Sequence, residues 1–268
     1  MNIIYISSSG NTYPLTTRMI LTREANYFMW EYEPKGTSLM YGERVSYFHR
    51  EPLRYETELI VRGSITQRKA ILTALHDDFE HDVRTKQTGT LHFGEWYCNC
   101  YIVSSETTPL EEVNHWTSNK IQIYIPSGFW VKDESKIFEG IEDNASEYLD
   151  YTYDYSYDYS ASAYGVGSWT TDAPFESDFR MDIYGPVVNP RVMVNGYPYI
   201  VYATIAEGEV LTIDSIKKTV MCGERNLFDA RNKKQSVFEK IPSGNLSLTW
   251  GNFRFKLTLY EERSEPKW

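Results

Sequence analysis

Three stretches of this sequence carry residue types that could do chemistry. The most unusual lies at 148–160, where Tyr151, Tyr153, Tyr155, Tyr157 and Tyr159 alternate with Thr152, Asp154, Ser156 and Asp158, behind Asp150. A period of two is the signature of a strand, in which successive side chains point to opposite faces. Here it yields one aromatic face and one acidic, hydroxylic face. The five tyrosines are therefore a candidate aromatic binding or contact face. Three readings of that face stay open: a sheet strand whose tyrosines cover a core, a platform that stacks on sugar rings, or a calcium loop. Calcium fits worst, because the aspartates recur every fourth residue without the glycine turn of an EF-hand loop.

The second stretch is His76-Asp77-Asp78-Phe79-Glu80-His81-Asp82, rich in possible metal ligands. Its two histidines are five residues apart, so on a helix they do not share a face as i,i+4 ligands would. The third is Cys98-Asn99-Cys100, whose thiols point to one side of a strand. A single Cys-x-Cys with no partner motif is a weak metal or redox signal, and buried, reduced thiols are the expectation. With Cys222 the chain has three cysteines, which excludes a dense disulfide framework.

No phosphate loop, nucleophile elbow, zinc tetrad or His-Glu-x-x-His pattern occurs. No catalytic, metal-binding or cofactor-binding residue is assigned, and the expectation is a protein that is not an enzyme and uses no cofactor. A glycoside hydrolase needs only two carboxylates about 5–10 Å apart, however, and 37 acidic residues leave that route open as a distant alternative.

The elements that must position these residues are mostly strands. At 268 residues, two domains are expected, and 41% hydrophobic residues suffice for a sizeable core. An aromatic share of 15%, with 22 tyrosines, favours half-buried pleated surfaces. The net charge of −10 opposes the basic footprint of a nucleic-acid binder, so no specific nucleic-acid recognition is expected. Residues 1–7 lack the basic region of a secretory signal, and no apolar stretch is long enough for membrane insertion.

The first sixty residues alternate apolar and polar positions and are punctuated by Ser9-Gly10-Asn11, Pro34-Lys35-Gly36 and Tyr41-Gly42, a pattern of short strands and turns. Residues 55–62 continue it. One helix is predicted at about 64–82. Ser64 and Gln67 form its capping box, and Ile71, Leu75 and Phe79, with Ala74 beside them, draw its apolar stripe. Hairpins follow at Gly94-Glu95 and Asn195-Gly196, and residues 245–250 and 253–260 read as a final strand pair around Gly251-Asn252. The domain boundary is placed after Trp130, giving 1–130 and 131–268.

Several segments together resemble one family. They are Phe179-Arg180-Met181-Asp182-Ile183-Tyr184-Gly185-Pro186, Asn189-Pro190-Arg191-Val192, the run from Glu207 to Asp214, Lys218-Thr219-Val220, Asn226-Leu227-Phe228, Ile241-Pro242-Ser243-Gly244 and the closing Arg263-Ser264-Glu265-Pro266-Lys267-Trp268. In this order they resemble the siphovirus-type phage distal tail proteins, and the helix after Gly63, the hairpin at Gly94-Glu95-Trp96 and the turn from Pro126 to Trp130 agree in outline. The resemblance spans nearly the whole chain, apart from the Tyr/Asp tract.

That resemblance implies a mainly β protein. Its N-terminal part would be a β-sandwich or split-barrel-like domain with one helix that forms a ring, and its C-terminal part a galectin-like β-sandwich. The implied role is structural: a virion tail-tip component, synthesised in the host bacterial cytoplasm, whose homo-hexamer ring joins the tail tube to the tail-tip hub and lets DNA pass. Implied partners are further copies of itself, the tail tube protein, the hub or tail-associated protein and, in many phages, a receptor-binding protein. The acidic balance agrees, since six copies at −10 carry −60 and an acidic lumen would let DNA pass without adhering. The alternative is a carbohydrate-binding module for host cell-wall glycans, acting through the Tyr151–Tyr159 face. A fold alone supplies no sugar site.

Overall fold

The structure is a computed structural model that describes residues 2–23, 27–140 and 165–267. Its chain divides into two units, one of Met1–Lys132 with Glu262–Trp268 and one of Asp133–Glu261. The division at Trp130 drawn from sequence puts Glu262–Trp268 with the second unit, whereas the contacts put them with the first. Among the described residues there are 21 strands and one α-helix, and every paired register is antiparallel, so the protein is mainly β. No described helix is long and apolar enough to cross a membrane.

In the first unit the strands run β1 (Ile3–Ile6), β2 (Thr12–Pro14), β3 (Ile20–Arg23), β4 (Glu33–Ser38), β5 (Glu43–His49) and β6 (Leu53–Arg62). Then come α1 (Ile65–Thr85), β7 (Gly89–Phe93), β8 (Trp96–Thr107) and β9 (Trp116–Ile125). β8 is long enough to serve two ladders: its first half pairs β7, which pairs β1 and then β2, while its second half pairs β9, which pairs β6 and then β3. The capping box of α1 forms as its sequence predicts, with the Ser64 hydroxyl accepting from the Gln67 amide and Gln67 Oε1 accepting from the Ser64 amide at 3.0 Å. Leu75, Phe79, Leu91, Cys98, Cys100, Ile123 and Trp130 bury together in one core. Each large side chain there contributes ~1.5–3 kcal/mol.

The inward face of α1 is not the plain apolar stripe that its sequence suggests. Ala74 is exposed, whereas Arg68, Asp78 and Asp82 are buried beside Leu72, Leu75 and Phe79. These polar groups can be buried because each finds hydrogen bonds. Arg68, 1% exposed, donates to the carbonyl oxygens of Trp116 and Glu111, each at 2.9 Å, and to Thr117 Oγ1.

β10 (Trp130–Phe138) gives Trp130 to the first core and Phe138 to the second. The second unit continues with β11 (Gly165–Thr171), β12 (Asp178–Tyr184), β13 (Val187–Val188), β14 (Arg191–Val194), β15 (Tyr197–Ile200) and β16 (Thr204–Ile205). After these come β17 (Val210–Asp214), β18 (Thr219–Cys222), β19 (Arg225–Asn226), β20 (Gly244–Trp250) and β21 (Phe255–Arg263). It is a β-sandwich. One sheet has the order β19-β18-β17-β12-β21 and the other β11-β20-β14-β15, and their inward residues, Phe179, Met181, Leu211 and Leu257 against Val192, Leu246, Leu248 and Trp250, share one core.

Two hairpin turns form where the sequence puts them. Gly94-Glu95 joins Phe93 to Trp96, and Asn195-Gly196 joins Val194 to Tyr197 with both φ angles positive (48° and 81°). The turn at Gly251-Asn252 is different: β20 pairs β11 and β14, β21 pairs β12, and the turn carries the chain from one sheet to the other. Two adjacent amphipathic strands read alike from sequence whether they pair or lie back to back across a core. Pro34-Lys35-Gly36 is likewise no turn but part of β4.

Candidate assembly interface

β4 and β5 form a two-stranded ribbon that, among the described residues, pairs with no other strand, and its last pair, Ser38 opposite Glu43, is closed by Leu39-Met40-Tyr41-Gly42, where the Leu39 amide donates to the Gly42 carbonyl at 2.8 Å. A bulge falls between Lys35 and Gly36. Only glycine fits there, since a Cβ on Gly36 would lie 2.2 Å from the Arg44 carbonyl oxygen. The ribbon is exposed along nearly its full length, and its exposed side chains include large apolar ones: Met40 at 90%, Tyr41 at 88%, Phe48 at 63% and Tyr47 at 61%. A lone two-stranded ribbon is marginal in water, and an apolar patch of this kind marks a surface meant to be covered.

Its root, by contrast, is pinned. Arg50 donates through Nη1 to Tyr32 Oη at 3.1 Å and to Ser264 Oγ, and through Nη2 to the Gly128 carbonyl, while its guanidinium lies 4.1 Å from the centre of the Phe129 ring. A guanidinium suits this junction because its planar fork offers several donors and still stacks on an aromatic face. Tyr55 Oη donates to the Met29 carbonyl at 2.8 Å on the same side. The ribbon thus stands on a fixed base with an uncovered tip.

A second surface of the same unit lies between α1 and β8. The register of β8 shifts between Ile102 and Ser104, and Val103 turns outward. A groove of about 380 Å³ results, with Phe79 and Ile102 as its floor and Val83 and Val103 on its sides. At one end His76 Nε2 meets Ser105 Oγ at 2.9 Å and Asn119 Nδ2 at 3.1 Å. Ser105 Oγ gives its single proton to Asn119 Oδ1 at 2.8 Å, so the amide holds the hydroxyl, which is not poised on the imidazole as a nucleophile on its base.

Two of the four acids of the His/Asp run, Asp78 and Asp82, serve the β1–β2 connection. Asp82, 0% exposed, accepts from Tyr5 Oη, the Ser8 amide at 3.0 Å and the Ser8 hydroxyl, and Asp78 accepts from Asn11 Nδ2 and Tyr13 Oη. Burial, reinforced by the bond to Asp82, pushes the Tyr5 phenol far above its usual range, so it stays a donor. His81 faces Ser8 and Ser9, away from the His76 contacts. Among the described residues no group of three or more His, Cys, Asp or Glu side chains gathers to hold a metal ion. The spacing 75, 78, 79 and 82 carried the signal for this buried face, which reading 76–82 as ligands overlooked.

Cys98 and Cys100 sit in the first core, each 0% exposed, and Cys222 is 3% exposed in the second. Burial raises both strand thiols well above the ordinary range, with the neighbouring Cys100 adding to the effect on Cys98 and the Asp82 charge adding to it on Cys100. A thiol-reactive dye at neutral pH is therefore expected to label the native protein at least ~100-fold more slowly than the unfolded chain, since labelling must await an opening of a few kcal/mol. Prompt labelling of the native state would contradict the burial.

Tyr151, Tyr153, Tyr155, Tyr157 and Tyr159 lie outside the described residues. The chain on either side of them is anchored: Gly165 packs under the Trp250 ring, and Gly140 lies beside Asn252 and Phe253.

No protein-family profile matches this chain, and no curated protein matches it by sequence. Solved structures do. A chain in the structure of the phage P2 baseplate in its activated conformation with Ca matches with a TM-score of 0.65 at 12% identity, covering 99% of both chains. The crystal structure of the SPP1 Dit protein, described as a paradigm of the hub adsorption apparatus in phages infecting Gram-positive hosts, matches with a TM-score of 0.64 at 9% identity over 97% of this chain and 99% of that one. The phage p2 baseplate with Sr matches with a TM-score of 0.64 at 12% identity over 99% of both. The fold of phage baseplate and hub proteins is thus shared along almost the full chain.

Proposed function

We propose that this protein is a non-catalytic structural component of a phage tail tip, whose copies form a ring, six in number, joining the tail tube to the tail-tip hub and leaving a passage for DNA. The observation that carries the reading is the end-to-end fold likeness to baseplate and hub proteins, which includes both units and leaves neither chain with a large unmatched part. The β4–β5 ribbon supports it, because a pinned base and an uncovered apolar tip are features of a surface completed by assembly. The charge of −10 per copy suits a passage through which DNA must slide without adhering. The tube protein, the hub and a receptor-binding protein are the proposed partners, and the virion tail tip is the proposed location.

The test is the mass of the purified protein in solution by light scattering. Six times the 31.3 kDa chain, with ring-shaped particles in negative stain, is the expected result. A protein that stays monomeric at high concentration, and stays so when mixed with tube and hub proteins, would refute the ring.

A further inference from the structure

Resting on the ring reading above, we infer that the two uncovered surfaces of the first unit mate with each other between copies: the tip Leu39-Met40-Tyr41 of one copy seats in the α1/β8 groove of the next. The tip and the groove belong to different elements of one unit, and in a ring their contact is heterologous: each copy gives its tip to one neighbour and its groove to another. Repeated head-to-tail contacts of this kind generate rings when the rotation closes. A symmetric tip-to-tip contact would stop at a dimer.

The chemistry of the two surfaces agrees. Each copy carries −10, so copies repel unless the contact is apolar and locally neutral. The tip tetrapeptide 39–42 bears no charge, and the residues behind it, Glu43 and Arg44, are one acid and one base. The groove is apolar on floor and sides, and its rim is again one acid and one base, Glu80 and Arg84, already paired. Neither side brings a net charge into the contact. Met40 is unbranched and adaptable, and its sulfur can approach the edge of the Phe79 ring. Beyond the tip, Tyr47 and Phe48 near the root of β5 extend the apolar surface available to a neighbouring copy.

The test is chemical cross-linking of the full chain. Met40→Cys and Val83→Cys place thiols on the tip and the groove side, at positions 90% and 44% exposed, and the three native cysteines are buried, so background is low. A mixture of the two single variants treated with a short bismaleimide should give a cross-linked dimer. The double variant should give a ladder ending at the ring, and Met40→Cys alone should give none. Dimers from Met40→Cys alone would overturn the head-to-tail contact in favour of a symmetric one. A ring that persists by light scattering while the double variant stays uncross-linked would overturn the tip-in-groove contact and leave the ring reading standing. Only a monomer in both measurements would remove both together.

Discussion

Replacing both Met40 and Tyr41 by lysine should leave the fold intact and abolish self-association. The two side chains are 90% and 88% exposed and belong to neither core, so the cost to folding should stay within ~0.5 kcal/mol, as for other surface substitutions. At a covered interface the same change is severe. Each large anchor lost from the middle of a contact costs about 2 kcal/mol or more, and two ammonium groups would be forced into an apolar groove. Together this is on the order of 4 kcal/mol per contact, or nearly a thousandfold in affinity at about 1.4 kcal/mol per decade. Light scattering and thermal unfolding of the same preparation check both halves of the expectation. Val166→Lys, at a position 75% exposed in the second unit, is the control that should change neither. Unaltered assembly of the tip variant would show that the ribbon tip is not part of the contact.

Gly89→Ala should be among the most destabilising single methyl additions in the chain. A Cβ at this position would lie 2.5 Å from Tyr5 Oη and 2.8 Å from Asp82 Oδ2, and both partners are essentially fully buried, at 1% and 0% exposure. Neither is the loose end of a flexible surface side chain. Tyr5 also packs edge-on against Phe79 at 5.4 Å, so moving it disturbs the helix contact. Overpacking of a tight core costs ~1–3 kcal/mol, and losing a buried hydrogen bond to a carboxylate costs ~1.5–3 kcal/mol. The expected loss is therefore about 3–5 kcal/mol, a large part of the ~5–15 kcal/mol that a folded domain possesses. Urea unfolding measures it as a lower midpoint at unchanged slope. The double variant Gly89→Ala/Tyr5→Phe should cost less than the two single losses added, because both remove the same bond. A Gly89→Ala protein weakened by under ~1 kcal/mol would mean that Tyr5 and Asp82 do not hold the β1–β2 connection to α1.

What the sequence determined by itself was set by neighbours along the chain. The start of α1 is legible in Ser64 and Gln67, because a capping box closes within one turn. The hairpins at Gly94-Glu95 and Asn195-Gly196 are legible because a two-residue turn admits few residue types. Periods of two marked most strands of both units, and so the mainly β class.

The tertiary structure decided everything that depends on partners distant in sequence. Nothing local distinguishes the apolar residues of β5, which face solvent, from those of β6, which face a core; Val45 and Leu59 are similar residues with 43% and 0% exposure. β20 and β21 look like a hairpin across Gly251-Asn252, yet belong to opposite sheets, because pairing is chosen by which strands can complete both layers of a core and not by adjacency. The His/Asp run suggested ligands, but the β1–β2 connection, some seventy residues earlier, supplied the donors that make Asp78 and Asp82 structural acceptors. The ribbon and the α1/β8 groove became visible as surfaces only once the fold showed which apolar side chains its own cores leave uncovered.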